Sequence, residues 1–152
     1  ADVVVFFGRV DALADYEGLP RPDPGARERL AADALAIPPK INVLLAELDG
    51  RAVGYAAYFW AYSTFLARPT LYLEDIFVLP EARGRGVGRA LMQTLAREAL
   101  RRGCGRMEWL VLGWNRPAIS FYENLGATRL DDWLIYRLTA EGLRRLAEEP
   151  DP

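Results

Sequence analysis

The order of apolar and polar residues along the chain follows two periods, and each period predicts a type of element. Apolar residues recur every three or four positions from Val3 to Leu13, which favours a helix, although residues 3–7 alone would pass for a strand. The same helical period returns between Leu91 and Leu100. Apolar runs bounded by Pro, Gly or Asp predict strands. The predicted helices are residues 2–16, 24–35, 87–102, a segment after Asn115 and a tail from Thr139, and the predicted strands are residues 42–48, 51–62, 70–79, 106–112 and 133–138.

Turn and capping residues mark the ends of several predicted elements. Asp49-Gly50 is the strongest hairpin signal in the chain and joins two of the strands. Asp23 and Asn115 are suited to cap helices, because a proline follows each of them within the first helical turn. A hairpin followed by alternating strands and helices predicts one α/β domain over residues 1–152, in which helices pack on a mixed sheet.

Composition narrows the class of partner. A chain of 152 residues with 51% hydrophobic content can bury a core of its own, and its net charge of -2 shows no excess of Lys and Arg for nucleic acid or an anionic membrane. Its longest uncharged stretch, residues 52–67, is shorter than the ~20 apolar residues of a membrane helix. The single Cys104 cannot form an internal disulfide and no signal peptide is visible, so we expect a cytoplasmic protein that binds a small molecule.

The chain contains no histidine, which excludes several kinds of active site. Ser-His-Asp hydrolysis, Cys-His acyl transfer and histidine-rich metal sites all need an imidazole. Cys104 therefore has no partner that would lower its pKa, and we interpret it as a packing residue. Catalysis must use carboxylates, tyrosine, backbone amides or a cofactor, and no metal is expected.

A loop rich in glycine and arginine lies between the strand at residues 70–79 and the helix that begins at Val87. Alternate glycines let the backbone approach a ligand, and the start of the helix offers unpaired N–H groups and a positive dipole end. Alone, the loop could be a flexible turn. It lacks the features of a nucleotide P-loop or a dinucleotide fingerprint, but it follows an apolar strand and opens a long helix. It therefore favours a pyrophosphate ligand. The glycines are Gly84, Gly86 and Gly88, and the arginines are Arg83, Arg85 and Arg89.

Residues 83–88 match the acyl-CoA motif Arg/Gln-x-x-Gly-x-Gly/Ala, and the sequence resembles the GNAT N-acetyltransferases. Residues 114–127 resemble a second family segment, Asn-x-x-Ala-x-x-Phe-Tyr-x-x-x-Gly-Ala/Phe. The resemblance implies a mixed, mostly antiparallel twisted sheet flanked by helices, with acetyl-CoA as co-substrate. It also implies cofactor contacts at Ile76, Phe77, Val78, Arg83, Gly84, Arg85, Gly86, Val87, Gly88, Arg89 and Asn115.

Within the family, the sequence is most similar to the diamine (spermidine/spermine) and thialysine acetyltransferases. It shares with them a Tyr-Leu-Glu-Asp run at residues 72–75, Trp-Asn at residues 114–115 and Tyr-Glu at residues 16–17. Family members begin with a strand before the first helix, so either the chain lacks that strand or residues 2–7 form it. Gly18-Leu19-Pro20 replaces the acidic continuation of the polyamine enzymes, which weakens the case for spermine.

The resemblance suggests roles for individual side chains. An alkyl amine has a pKa near ~10 and must lose a proton before it attacks a thioester. Because strand residues alternate between faces, at most one of Glu74 and Asp75 is expected to face the substrate, and we favour Glu74 as the base. Tyr122 would protonate the departing CoA thiolate after direct attack in a ternary complex. A salt bridge for Glu74 and a core position for Tyr122 are the alternatives.

Other residues are candidates for binding the acceptor amine. Tyr16 and Glu17, and in one interpretation Asp15, would bind the distal ammonium of a diamine, unless they form only a solvated helix end. Glu108 and Trp109 would line the cleft, although core packing explains Trp109 equally well.

The sequence is also compatible with two other functions, and it suggests an oligomeric state. The acceptor could instead be an aminoglycoside or a protein N-terminus, or the chain could be a CoA-binding regulatory domain without turnover. Members of the family often pair through their C-terminal elements, and the tail strand with Trp133 and Tyr136 is apolar enough for such a contact. A homodimer is therefore expected.

Overall fold

The computed structural model describes residues 2–150, and the chain divides into two units, Ala1–Leu112 and Gly113–Pro152. The first unit contains α1 (Asp2–Glu17), α2 (Pro24–Leu35), β1 (Asn42–Leu48), β2 (Arg51–Ser63), β3 (Arg68–Val78), a 3-10 turn (Pro80–Ala82), α3 (Val87–Arg101) and β4 (Arg106–Trp109). The second contains α4 (Arg116–Asn124) and α5 (Ala140–Ala147). The opening segment is thus a helix and not a strand.

The sheet of the first unit has the strand order β1-β2-β3-β4. The β1–β2 and β2–β3 pairs are antiparallel and the β3–β4 pair is parallel, which confirms the predicted mixed and mostly antiparallel sheet. Asp49 and Gly50 both have positive φ angles, 54° and 74°, as the predicted two-residue hairpin requires. A register shift between Ala57 and Tyr58 marks a bulge in the β2–β3 pair.

The two faces of the sheet bury different helices. Phe6 of α1 packs with Tyr55, Ala57 and Phe77, which lie on one face. Strand residues alternate, so Tyr58 and Trp60 lie on the opposite face, where the Arg102 guanidinium lies 4.9 Å from the Trp60 ring centroid. Arg102 follows α3 directly, so α3 covers this second face and buries its own apolar side. The buried residues of α3 are Leu91, Met92, Leu95 and Ala99.

The second unit contains one strand prediction that is wrong. Residues 133–138 form no strand in the described part of the chain, and Trp133 and Tyr136 are 76% and 88% exposed. A strand needs a neighbour to pair its backbone groups, and the sequence pattern cannot supply one. The predicted tail helix does form, with the Thr139 hydroxyl accepting a hydrogen bond from the Gly142 amide at 3.3 Å.

Residues 2–150 lack two structural features. None of the helices there is long and apolar enough to cross a membrane. Over the same residues, the Cys, Asp and Glu side chains form no group of three or more that could hold a metal ion.

Candidate active site

The glycine loop joins β3 to α3 through two residues in the left-handed region. Gly84 and Gly86 have φ angles of 73° and 81°, and Gly86 is the residue at which α3 begins. An L side chain is disfavoured at such angles, which explains why glycine occupies both positions. A Cβ atom at either glycine would meet no atom within 4 Å, so the loop backbone is open to a ligand. The unpaired N–H groups of the first turn of α3 adjoin it, and together these features fit a pyrophosphate.

The three loop arginines have different surroundings. The Arg83 Nε donates a hydrogen bond to the Val78 carbonyl oxygen at 2.9 Å, and its guanidinium lies over the Tyr16 ring. Arg85 forms an ion pair with Asp49 at 3.4 Å. Arg89 lies exposed in the first turn of α3. Arg83 is thus directed toward α1 and Arg85 toward Asp49, and the prediction that all three surround a phosphate stays a prediction.

The backbone of β3 is unpaired on one side next to this loop. Residues 76–78 pair with residues 54–56 of β2, whereas β4 pairs only with residues 70–73. Alternate peptide groups of residues 76–78 therefore point to a side on which β4 has already ended. Peptide groups in this position suit an amide-bearing chain such as pantetheine, except that the Val78 carbonyl oxygen already accepts a hydrogen bond from the Arg83 Nε at 2.9 Å. The cofactor contacts of Ile76, Phe77 and Val78 stay predictions.

Gly54 lets β2 approach β3 closely at this point. A Cβ atom on Gly54 would lie 2.8 Å from the Phe77 carbonyl oxygen and 3.3 Å from the Val78 Cγ2. The sequence does not single out Gly54, because a glycine inside a strand gives no indication of which backbone it approaches. Its role is structural, since it sets the position of the strand that precedes the glycine loop.

The β-bulge changes how the two strand carboxylates are arranged. Ala57 pairs with Asp75 and Tyr58 pairs with Leu73, so Glu74 is the extra residue. Asp75 therefore shares the α1 face with Phe77. Glu74 is exposed, and its charge acts on Asp75 and on the tyrosines of the same face. The expectation that only one carboxylate could reach this face rests on regular alternation, which the bulge interrupts.

Glu17, Glu74 and Asp75 form an acidic cluster, and burial raises the pKa of two of its members, Asp75 and Glu17. Burial raises the pKa of Asp75 to about 6, and the negative charges of Glu74 and Glu17 act in the same direction. Burial also raises the pKa of Glu17. Among residues 2–150, no Lys or Arg forms an ion pair with these three carboxylates. The cluster is thus suited to bind a cation.

Tyr55 is a polar residue next to the cluster that the sequence pattern does not indicate. Its side chain is fully buried, and no hydrogen bond of normal geometry reaches its hydroxyl from the described residues. Burial raises the pKa of Tyr55, and the Asp75 carboxylate raises it further. Tyr55 therefore remains protonated beside Asp75. The sequence pattern gave no signal for this contact, because the bulge decides which strand residues meet.

The remaining candidate site residues of the first unit lie on both faces of the sheet. Glu108 is in register with Tyr72 and Trp109 with Leu73, so neighbouring residues of β4 point to opposite faces. Burial and the charges of Glu74 and Glu108 raise the pKa of Tyr72. The Glu108 carboxylate forms an ion pair with the Arg106 guanidinium at 2.9 Å, so its role in the cleft stays a prediction. Trp109 lies on the α3 face, in agreement with the packing alternative. Asp15 forms an exposed ion pair with Arg21 and is not part of the cluster.

Asn115 and Tyr122 belong to the second unit. The Asn115 side chain caps α4 by accepting a hydrogen bond from the Ala118 amide at 3.3 Å. Tyr122 lies in α4, partly buried, with its ring centroid 5.5 Å from that of Phe121. The cap role of Asn115 is confirmed, whereas its contact with the cofactor and the role of Tyr122 stay predictions.

The environment of Cys104 agrees with its interpretation as a packing residue. Its side chain is partly buried in the turn after α3. Burial raises the pKa of the thiol, which is the opposite of what a nucleophilic thiolate needs. Cys104 is therefore not placed in the candidate site.

Comparison with known proteins gives consistent results. Residues 10–127 match the model of the acetyltransferase (GNAT) family. A thialysine N-epsilon-acetyltransferase of Mus musculus is 36% identical over 146 residues, which cover 89% of this chain and 85% of that protein. An L-ornithine N5-acetyltransferase of Arabidopsis thaliana is 37% identical over 110 residues, 72% of this chain and 46% of that protein. An integron cassette protein from the mobile metagenome of V. cholerae has a similar fold, with a TM-score of 0.79, 26% identity and coverage of 97% and 92%.

Proposed function

The chain belongs to the GNAT acetyltransferase family and is an acetyl-CoA-dependent N-acetyltransferase, and we propose that its acceptor is a small molecule with two amines, either a diamine or an amino acid of the thialysine type. The acidic cluster carries this proposal. Its carboxylates lack a basic partner within residues 2–150 and lie beside the unpaired section of β3. A buried carboxylate gains most from a cationic ligand, because burial has removed its hydration.

The relatives support an acceptor of this kind. The names of the Mus musculus and Arabidopsis thaliana proteins state that they acetylate the side-chain amines of thialysine and ornithine. Each of these substrates carries a second amine in addition to the one that is acetylated. Two separate ammonium groups match a cluster that draws carboxylates from both α1 and β3.

The residues of the chain would divide the proton transfers between them. Acetyl-CoA supplies the acetyl group as a thioester. Glu74 accepts a proton from the acceptor ammonium, directly or through water, so that the amine nitrogen can form the new C–N bond. Tyr122 gives its proton to the thiolate released when the C–S bond breaks. Glu17 and Asp75 bind the second ammonium. Support for Tyr122 comes from the segment at residues 114–127, which matches the family pattern.

The experiment that tests the function is release of CoA thiol from acetyl-CoA. Purified protein is offered putrescine, spermidine, lysine, thialysine, ornithine, an aminoglycoside and a short peptide in parallel, with n-butylamine as the matched monoamine. We expect kcat/KM for at least one diamine or thialysine-type acceptor to exceed that for n-butylamine by about 100-fold, the value of two added charge contacts. Preference for the aminoglycoside or the peptide would contradict the proposed acceptor. Acetyl-CoA binding without any turnover would indicate a regulatory CoA-binding domain.

We further propose that the protein is a cytoplasmic homodimer. Support for the dimer comes from residues 133–138, an apolar segment that is exposed and unpaired in the described chain. Support for the cytoplasm comes from the single cysteine, which cannot form an internal disulfide.

A further inference from the structure

The Arg83 side chain connects the glycine loop to the end of α1. Its guanidinium carbon lies 4.8 Å from the Tyr16 ring centroid and 5.5 Å from the Phe77 ring centroid. The same side chain donates from Nε to the Val78 carbonyl oxygen at 2.9 Å. The two aromatic rings lie 6.2 Å apart, so the cation contacts both members of one aromatic pair. The residue that opens the acyl-CoA motif is thus held by groups on α1 and β3.

These contacts connect the end of α1 with the glycine loop, two parts of the site that lie far apart in the sequence. Tyr16 is followed directly by Glu17, whose carboxylate raises the pKa of Asp75 and belongs to the acidic cluster. Arg83 is followed directly by Gly84, whose φ of 73° begins the open loop backbone. A cation over an aromatic face is attracted by the ring quadrupole, and the attraction depends on the position of both groups. The position of the Tyr16 ring therefore depends on the position of Arg83, which precedes the loop.

We propose that Arg83 is a positioning residue that couples the cofactor loop to the acceptor site. With acetyl-CoA bound on the glycine loop, Arg83 holds the Tyr16 ring and so places the Glu17 carboxylate for the acceptor ammonium. This inference rests on the proposed function, because it assigns Glu17 to acceptor binding. It differs from the expectation that the Arg83 side chain binds a CoA phosphate, since Nε and the cationic face are already engaged by protein groups.

The test is a double-mutant cycle that measures acceptor KM, kcat and the acetyl-CoA Kd. The variants are Arg83→Gln, Tyr16→Leu and the double variant, and Tyr16→Phe keeps an aromatic face as the conservative rescue. Arg97→Gln removes a similar exposed charge from α3 and serves as the control. Thermal unfolding of each variant shows that it is folded.

We expect Arg83→Gln and Tyr16→Leu each to raise the acceptor KM about tenfold, with kcat and the acetyl-CoA Kd within about threefold of wild type. The double variant is expected to be no worse than either single variant, because both remove one contact. Arg97→Gln is expected to behave as wild type. Tyr16→Phe, which keeps the aromatic face beneath Arg83, is expected to recover most of the acceptor KM that Tyr16→Leu loses.

Three results would overturn the inference. One is a tenfold weaker acetyl-CoA Kd for Arg83→Gln with normal acceptor KM, especially if dephospho-CoA binding is unaffected, since the arginine would then bind the 3′-phosphate. Another is fully additive effects of the two substitutions. The third is a wild-type protein that acetylates no amine, which removes the proposed function and this inference together, whereas the first two leave the proposed function intact.

Discussion

At the scale of single residues, burial opposes ionisation most clearly at the Asp75 carboxyl group. The bulge at Glu74 turns Asp75 toward the α1 face, where its neighbours are a buried tyrosine and two further acids. A charge in that position is costly until a cation arrives. The same feature makes ionised Asp75 lower the stability of the fold above its pKa, and it is the reason for the proposal that Asp75 binds an ammonium ion.

Replacement of Asp75 should reveal this cost as a pH dependence. The pKa of Asp75 is about 6 in the folded chain against 3.8 as its ordinary value, so between these values the folded state keeps a proton that the unfolded state releases. Stability from this group is therefore present below about pH 4 and is lost as pH rises through about 6. Between pH 4.5 and pH 8, we expect the free energy of unfolding of Asp75→Asn to rise by roughly 1–3 kcal/mol relative to that of wild type. Urea unfolding across this range measures the difference, with the exposed Asp132→Asn as control. A difference that does not change with pH would contradict the prediction.

Tyr122→Phe tests Tyr122 as the proposed general acid, because the substitution removes only its hydroxyl group. Loss of a general acid typically lowers turnover by about 10- to 100-fold, while the acetyl-CoA Kd should stay within a few-fold. Tyr62→Phe, which removes a hydroxyl from a 66% exposed side chain in β2, is the matched control. Steady-state kinetics and calorimetry with both variants separate the two quantities. Unchanged turnover in Tyr122→Phe would remove this residue from the mechanism.

At the scale of elements, the link between β3 and α3 brings the cofactor features together. β3 supplies backbone groups that β4 does not pair, and α3 begins at a glycine in the left-handed region. Neither feature needs a particular side chain at the contact itself. The element is therefore defined by its backbone, and substitutions that alter the backbone should affect cofactor binding most.

Gly86→Val tests the loop with a matched control at the other end of α3. Gly86 and Gly103 have φ angles of 81° and 73°, and a Cβ at either position would meet no atom within 4 Å. Valine at each should therefore cost a similar free energy of unfolding, roughly 1–3 kcal/mol. Only Gly86→Val is expected to weaken acetyl-CoA binding, by more than about tenfold, because its side chain crowds the phosphate-binding backbone. Equal acetyl-CoA Kd values for the two variants, measured by calorimetry, would contradict the loop assignment.

At the scale of the whole molecule, residues 133–138 form an exposed apolar segment that is suited to contact another protein surface. An aromatic side chain presents roughly 150–250 Å². With exposures of 76% and 88%, Trp133 and Tyr136 together present on the order of 300 Å², and Leu134 and Ile135 are also exposed. Patches of this size on a soluble monomer often mark a protein interface. The proposed homodimer would cover the segment with a second copy of the chain.

The dimer is tested by charging the segment. We expect the wild-type protein to have twice the chain mass in size-exclusion chromatography with light scattering, and Trp133→Asp/Tyr136→Asp to be monomeric at micromolar concentration, because buried carboxylates oppose the interface. Ile37→Asp, at a fully exposed position before Pro38, is the control and should remain dimeric. A monomeric wild-type protein would contradict the homodimer.

Local patterns in the sequence determined most of the fold and the cofactor loop. Helix caps at Asp23, Asn115 and Thr139, the Asp49-Gly50 turn and the left-handed Gly86 act through groups within a few residues, so their outcome can be read from the chain. The family followed from motifs of the same local kind. For the same reason, β1 was predicted with its observed bounds, Asn42–Leu48.

Only the tertiary structure decided which of these local features meet. The bulge at Glu74 depends on how β2 and β3 pair, and it places Asp75 beside Tyr55 and Glu17. The direction of Arg83 depends on where α1 ends against β3, and the absence of a strand at residues 133–138 of the described chain depends on a pairing partner. Each of these outcomes is a contact between residues distant in the chain. Hydrophobic period and propensity carry no information on such contacts, because they describe only neighbours along the backbone.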